Sequence, residues 1–192
     1  MHHTQLELWL IRHGETEWSL SGAHTSHTDI PLTTRGREQA RAIGECLQFR
    51  QFARVMTSPM QRARETCRIA GFGQIAELSE QLREWDYGEF EGRTTSQIRE
   101  EIPGWSVWNA VPAGGEPLAA VGRRAEAVIE SCVTSGGHVA LFSHAHFLRI
   151  LAAVWLGLPP KSGSLFALDT GSISTLGFER ESRVIDTWNH CV

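Results

Sequence analysis

Lysine is almost missing from this chain: Lys161 is the only one, and every other cation is arginine. A net charge of -4 at pH 7 gives no basic excess, which excludes the electrostatic footprint of a nucleic-acid binder. Cysteine is sparse and scattered, at Cys46, Cys67, Cys132 and Cys191, with no CxxC pair. That spacing excludes a zinc-ligand framework and argues against disulfides, so the thiols are read as reduced and the chain as cytoplasmic. No apolar run approaches the ~20 residues of a membrane span, and Met1-His2-His3-Thr4 is too short and polar for a secretory signal. Repeats, low-complexity tracts and linkers are also lacking. The 192 residues are therefore expected to form one domain, 1–192. Arginine suits bidentate phosphate recognition, but a composition bias accounts equally for most surface arginines. Position must separate the two.

What is present begins with Leu8-Trp9-Leu10-Ile11-Arg12-His13-Gly14-Glu15-Thr16, an apolar run that stops at a cation, an imidazole and a glycine. Leu8 to Ile11 has the length and composition of a buried strand, and ligands bind at the carboxyl ends of strands in open α/β sheets. Gly14 permits a sharp turn or a close approach there. A polar loop follows from Thr16 to Asp29. Thr33 or Thr34 caps a predicted helix through about Leu47, and Val55-Met56-Thr57 is a short strand. Ser58 as N-cap and Pro59 at the first helical position start the next helix, with Arg62 in its first turn.

Ile75 to Leu78 reads as a strand, and Leu82 to Gly92 as an acidic, aromatic loop. A short helix is predicted over Thr94 to Glu101, and a lid or wall over Trp105, Trp108 and Pro112 to Glu116. Apolar spacing predicts a helix over Leu118 to Val133 and a strand over His138 to Phe142. That strand ends at Ser143-His144-Ala145-His146, where a helix to about Leu156 begins. Ser172 to Phe178 and Val184 to Trp188 form a hairpin. Strands alternating with helices imply a three-layer α/β/α sandwich with a mostly parallel central sheet and a C-terminal antiparallel edge hairpin.

Arg12, His13, Arg62, Glu84 and His144 all fall at strand ends or just beyond, so one sheet edge can gather them. Two arginines and two histidines around a point describe a phosphoryl pocket. Taken singly, each has a plainer reading: Arg62 as a solvated helix residue, His144 as a core histidine, Glu84 as one of several loop carboxylates.

The segments Arg12-His13-Gly14-Glu15-Thr16, Ser58-Pro59-Met60-Gln61-Arg62-Ala63-Arg64-Glu65-Thr66, the Glu84 to Gly92 loop and Ser143-His144 resemble, in order, the four signatures of the histidine phosphatase superfamily, the phosphoglycerate mutase-like enzymes. The resemblance implies His13 as the nucleophile that forms a phosphohistidine. It implies Arg12, Arg62 and His144 as phosphate ligands and Glu84 as the general acid, then base. No metal and no cofactor is expected, and the implied partner is a small phosphorylated substrate.

Three positions depart from the glycolytic mutases: Ser19, Ala145, and Trp85-Asp86-Tyr87 after the acid. The long insertion that could shield a phosphohistidine from water is also missing. The chain is thus most similar to the small broad-specificity or sugar-phosphate phosphatases of the superfamily. A cofactor-dependent mutase primed by 2,3-bisphosphoglycerate and a non-catalytic phosphate-binding module are the alternatives.

Ser19, Thr25 and Ser26 are candidate contacts to the rest of the substrate. Trp18, Trp85, Trp105 and Trp108 are candidates either for the pocket wall or for the core. Glu15, Asp29 and Glu91 read as loop-fixing hydrogen-bonders, and His24, His27 and His146 as non-catalytic.

Overall fold

A computed structural model describes residues 6–110 and 113–191. Met1 to Thr4, and Pro112 of the irregular segment, lie outside the described residues. Among the described residues, no helix is long and apolar enough to cross a membrane.

The sheet is built from β1 (Glu7–Arg12), β2 (Arg54–Thr57), β3 (Glu77–Leu78), β4 (His138–Ser143), β5 (Ser172–Glu179) and β6 (Ser182–Cys191), in the order β3-β2-β4-β1-β5-β6. The first four in that order run parallel, while β5 is antiparallel to β1 and β6 to β5. This is the expected mostly parallel sheet with an edge hairpin.

Alternation along β1 sorts the two faces. Leu8 and Leu10 pack toward α5 (Leu118–Ser135) and α6 (Ala145–Trp155), whereas Trp9 and Ile11 pack toward α2 (Thr34–Leu47) and α3 (Gln61–Ile69). The period of two puts successive side chains on opposite faces, so both must be apolar when helices cover both. Helix α6 buries Phe147, Leu148, Ile150, Leu151 and Trp155 completely, at ~1.5–3 kcal/mol for each large side chain. The core therefore fixes where α6 starts, and with it His144.

Three local features differ from the sequence reading. The polar loop after β1 contains a five-residue helix, α1 (Glu17–Ser21), held by a reciprocal capping box between Thr16 and Ser19. Helix α3 starts at Gln61 with Met60 at the cap, two residues later than Ser58-Pro59 suggested. The Ser58 hydroxyl accepts from the Met60 N–H at 3.3 Å and is engaged with a histidine as well, and Asp29 Oδ1 accepts from the Gln61 N–H at 2.8 Å, supplying an anion to the helix start from another loop. The third strand is only Glu77–Leu78, and Ile75 is exposed. The other short helix, α4 (Thr95–Glu101), is capped by Thr94.

Register sets the functional edge. Arg12 pairs with Ser143, and Thr57 with Phe142. The parallel strands β1, β2 and β4 consequently end level, and His13, Ser58 and His144 are the next residues out. Backbone bonds extend the ladder by one step, from His13 N to Ser143 O at 3.0 Å and from Ser58 N to Phe142 O at 2.9 Å.

Candidate active site

Gly14 is required for backbone proximity. A Cβ on Gly14 would lie 2.3 Å from the Gly36 carbonyl oxygen, and one on Gly36 would lie 2.2 Å from that of Glu15. The turn after His13 thus presses directly on the first turn of α2, with no room for a methyl group on either side. The Gly14 N–H donates to Thr66 Oγ1 at 3.0 Å, tying the same turn to α3.

His13 is 5 % exposed. Its Nδ1 lies 2.8 Å from the Gly14 carbonyl oxygen, which can only accept, so in the neutral ring Nδ1 carries the proton. Nε2 then presents a bare lone pair, with no hydrogen-bond partner among the described residues. Burial, reinforced by the charges of Arg62 and Arg12, holds the His13 pKa well below the ordinary histidine value. The ring is kept neutral and its nucleophilic nitrogen free.

Arg62 is completely buried and commits four of its N–H groups: Nε to His144 Nδ1 at 3.1 Å, Nη1 to Thr28 O, and Nη2 to Thr25 O and Ser26 O. A guanidinium has five, so one Nη1 hydrogen remains. The same bond fixes His144. Arg62 Nε can only donate, so His144 Nδ1 holds the lone pair and Nε2 carries the proton, donated to Ser58 Oγ at 2.8 Å. Burial and the same cations keep His144 neutral. The two histidine rings are 5.2 Å apart.

A cavity of about 380 Å³ opens over this edge, and Arg12, His13 and Glu84 line it. Arg62 and His144 are fully buried and outside the lining. Glu84 is anchored by three backbone donors, with Oε1 accepting from Trp85 N and Phe147 N, both at 2.9 Å, and Oε2 from His146 N at 3.1 Å. It therefore occupies the N-terminus of α6, where free N–H groups and the helix dipole favour an anion. A larger groove of about 580 Å³ over α3 and β3 contains none of the five residues, and one of its arginines, Arg37, is paired with Glu65.

The auxiliary candidates divide. Ser19 and Thr25 line the cavity, but each hydroxyl donates to backbone, Ser19 to Thr16 O and Thr25 to Ala23 O. Ser26 does not line it. Its N–H and hydroxyl both bond to Glu91, which also receives the Thr28 N–H. Glu15 likewise receives the Thr33 hydroxyl at 2.8 Å. Among the tryptophans, Trp108 lines the cavity, while Trp85 and Trp105 are core residues.

Two histidines set aside on sequence grounds, His24 and His146, line the cavity, as do Arg99 and Arg149. A signal for His146 was available in its position two residues beyond His144, at the start of the same helix. No comparable local signal marks Arg99.

These histidines carry a pH dependence. Burial pulls the His24 pKa down to about 4, and His13, His144 and His146 shift in the same direction, each chiefly through burial. The folded state holds neutral rings, while the unfolded chain titrates near 6.5. As pH falls below 6.5 the unfolded chain binds protons that the folded chain refuses. Stability is therefore lost from about pH 6.5 down to about 4, where His24 protonates in the folded state as well. At ~1.4 kcal/mol per unit, His24 alone contributes a loss of about 3 kcal/mol. The thermal midpoint, followed by circular dichroism, is expected to fall steeply across that window. A midpoint that stays flat from pH 6.5 to 4.5 would refute this assignment.

Comparison with known proteins agrees with the geometry. The family model described as histidine phosphatase superfamily, branch 1, matches residues 8–190. An acid phosphatase of Mycobacterium tuberculosis is 41% identical over 180 residues, covering 92% of this chain and 88% of that protein. A sedoheptulose 1,7-bisphosphatase of Saccharomyces cerevisiae is 34% identical over 183 residues, covering 78% and 67% respectively. More distant relatives carry phosphatase and phosphoglycerate mutase names. Among solved structures, the product of an open reading frame from Mycobacterium tuberculosis superposes with a TM-score of 0.92 at 38% identity, covering 100% of this chain and 99% of that one. With a neutral histidine presented between two arginines at the carboxyl edge of the matching sheet, the chain belongs to the histidine phosphatase superfamily and is a phosphatase of its first branch.

Proposed function

We propose that this phosphatase hydrolyses small phosphomonoesters without a metal ion, through a phosphohistidine on His13. The observation that carries this reading is the single free nitrogen on a neutral ring, Nε2 of His13, flanked by cations supplied by the protein. Nε2 attacks phosphorus, and the bond from phosphorus to the ester oxygen breaks as the proton of Glu84 passes to that oxygen. Arg12 and the remaining Nη1 hydrogen of Arg62 take equatorial phosphoryl oxygens as charge redistributes. His144 joins them by turning its Nε2–H from Ser58 to the phosphoryl group. In the second step Glu84 takes a proton from water, which attacks the phosphohistidine and releases inorganic phosphate.

Phosphate release from a panel of phosphorylated metabolites should persist in excess EDTA, and vanadate should inhibit by adopting the trigonal-bipyramidal geometry of phosphoryl transfer. Activity that vanishes on chelation and returns with a divalent ion would overturn the metal-free reading. A parallel assay of 3-phosphoglycerate isomerisation addresses the mutase alternative. Isomerisation outpacing phosphate release would replace hydrolase with mutase.

A further inference from the structure

The phosphoryl machinery accounts for Arg12 and leaves two further arginines in the cavity without a task. Arg149 lies one turn into α6. Its Nε donates to Gly163 O at 3.0 Å and its Nη2 to Ser164 O at 3.3 Å, and its guanidinium stacks over the Trp108 ring at 4.9 Å. Those contacts hold the side chain in one orientation and leave Nη1 without a partner among the described residues. Arg99, on α4, is fastened in the same way, by Nε to Trp105 O at 2.8 Å, with both terminal nitrogens without a partner among the described residues. Each guanidinium is thus positioned by backbone carbonyls and keeps at least one donor nitrogen for the cavity it lines.

His146 lines the same cavity and adds a neutral group to it. Its Nδ1 is 2.7 Å from the Tyr87 hydroxyl. With the Tyr87 proton donated to Nδ1, the imidazole carries its own proton on Nε2. His146 and Arg149 are three residues apart on α6, so they share a face.

Charge in the cavity is unbalanced. Arg12, Arg99 and Arg149 line it, and Glu84 is the only carboxylate among the lining residues. Burial works against the charge of both Arg12 and Arg149, Glu84 offsets part of that for each, and the Arg149 charge further lowers the affinity of Arg12 for its proton. Keeping a partly buried cation beside another costs stability unless an anion arrives. One phosphoryl dianion is already served by Arg12 and Arg62. Arg149 lies five residues beyond His144, the cap of α6, a rise of roughly 7.5 Å along the helix axis.

We propose that the far part of this cavity, formed by Arg149 and Arg99 with His146 Nε2–H, is a second anion subsite, and that the preferred substrates are phosphomonoesters bearing a second acidic group, a phosphate or a carboxylate. This rests on the hydrolase reading above and deepens it. The substrate lies with its scissile phosphate at His13 and its other anion on Arg149.

The test compares kcat/KM for fructose 1,6-bisphosphate, 3-phosphoglycerate and fructose 6-phosphate, with p-nitrophenyl phosphate as a substrate lacking any second anion. Wild type is expected to favour at least one doubly anionic substrate over fructose 6-phosphate by about ten-fold or more, the equivalent of one charge-assisted contact. Arg149→Met should erase that preference through KM, Arg149→Lys should keep part of it, and Arg99→Gln should reduce it. The bisphosphate and the carboxylate arms identify which anion the subsite takes. Wild type with no preference for either, or Arg149→Met lowering all four substrates by the same factor, overturns the subsite. Failure of wild type to release phosphate from p-nitrophenyl phosphate would instead strike the hydrolase reading, so the two failures are distinguishable.

Discussion

Replacing His13 with alanine is expected to eliminate the phosphoenzyme and to lower turnover by roughly 10⁴- to 10⁶-fold, the scale seen when a covalent nucleophile is removed. The size follows from the absence of a substitute. His144 is the only other imidazole within ring contact of His13, and both of its nitrogens are occupied, Nδ1 by Arg62 and Nε2 by Ser58. Rapid quench of the wild type with labelled substrate should trap an acid-labile, base-stable phosphoprotein, and His13→Ala should trap none. Label appearing on serine or aspartate, or undiminished in the variant, would refute the assignment. Because the His13 ring is neutral through burial and two neighbouring cations, attack should persist to acidic pH and be limited there by the stability loss described above. An acid-side optimum with a steep acid limb is the expected profile.

The fold and the meeting of His13, Ser58 and His144 at one edge were legible for one reason: β1, β2 and β4 are short apolar runs that end abruptly in polar residues, and parallel pairing in register turns three sequence positions into one edge. What stayed hidden depends on contacts that no local pattern encodes. Glu91 satisfies Ser26 and Thr28 across more than sixty positions, so a serine that looked free for substrate is a support for its own loop. Helix α1 is too short to show periodicity, and its capping box closes with serine at the third position, where glutamate or glutamine is the recognised signal. Serine before proline has the habit of a helix cap, whereas the Ser58 hydroxyl accepts the His144 Nε2–H, whose tautomer Arg62 sets. Tyr87, the chain's single tyrosine, is the partner of His146 Nδ1 at 2.7 Å. In both cases the decisive fact is a hydrogen-bond partner distant in sequence.

Glu84→Gln is expected to slow phosphoenzyme formation from an alkyl or sugar phosphate by ~10²- to 10⁴-fold, the usual scale of general acid catalysis, and from p-nitrophenyl phosphate by clearly less. A sugar alkoxide needs a proton as it leaves, and p-nitrophenolate does not. Four carboxylates share this loop in sequence, but Asp86 is paired with His27 and with the Gly88 N–H, Glu91 is spent on Ser26 and Thr28, and only Glu84 lines the cavity. Its Oε1 accepts two backbone bonds and its Oε2 one, so the transferable proton is assigned to Oε2. Glutamine can keep the Oε1 contacts to Trp85 and Phe147, but its amide then faces the His146 N–H, and some local disturbance is expected. Comparing two substrates on the same variant cancels that disturbance, since both meet the same altered helix start. Single-turnover measurement is needed because the proposed mechanism also has Glu84 activate water in the second step, and steady-state rates would mix the two roles. Equal losses with both leaving groups would remove Glu84 as the acid, leaving its three backbone bonds at the start of α6 as its whole contribution.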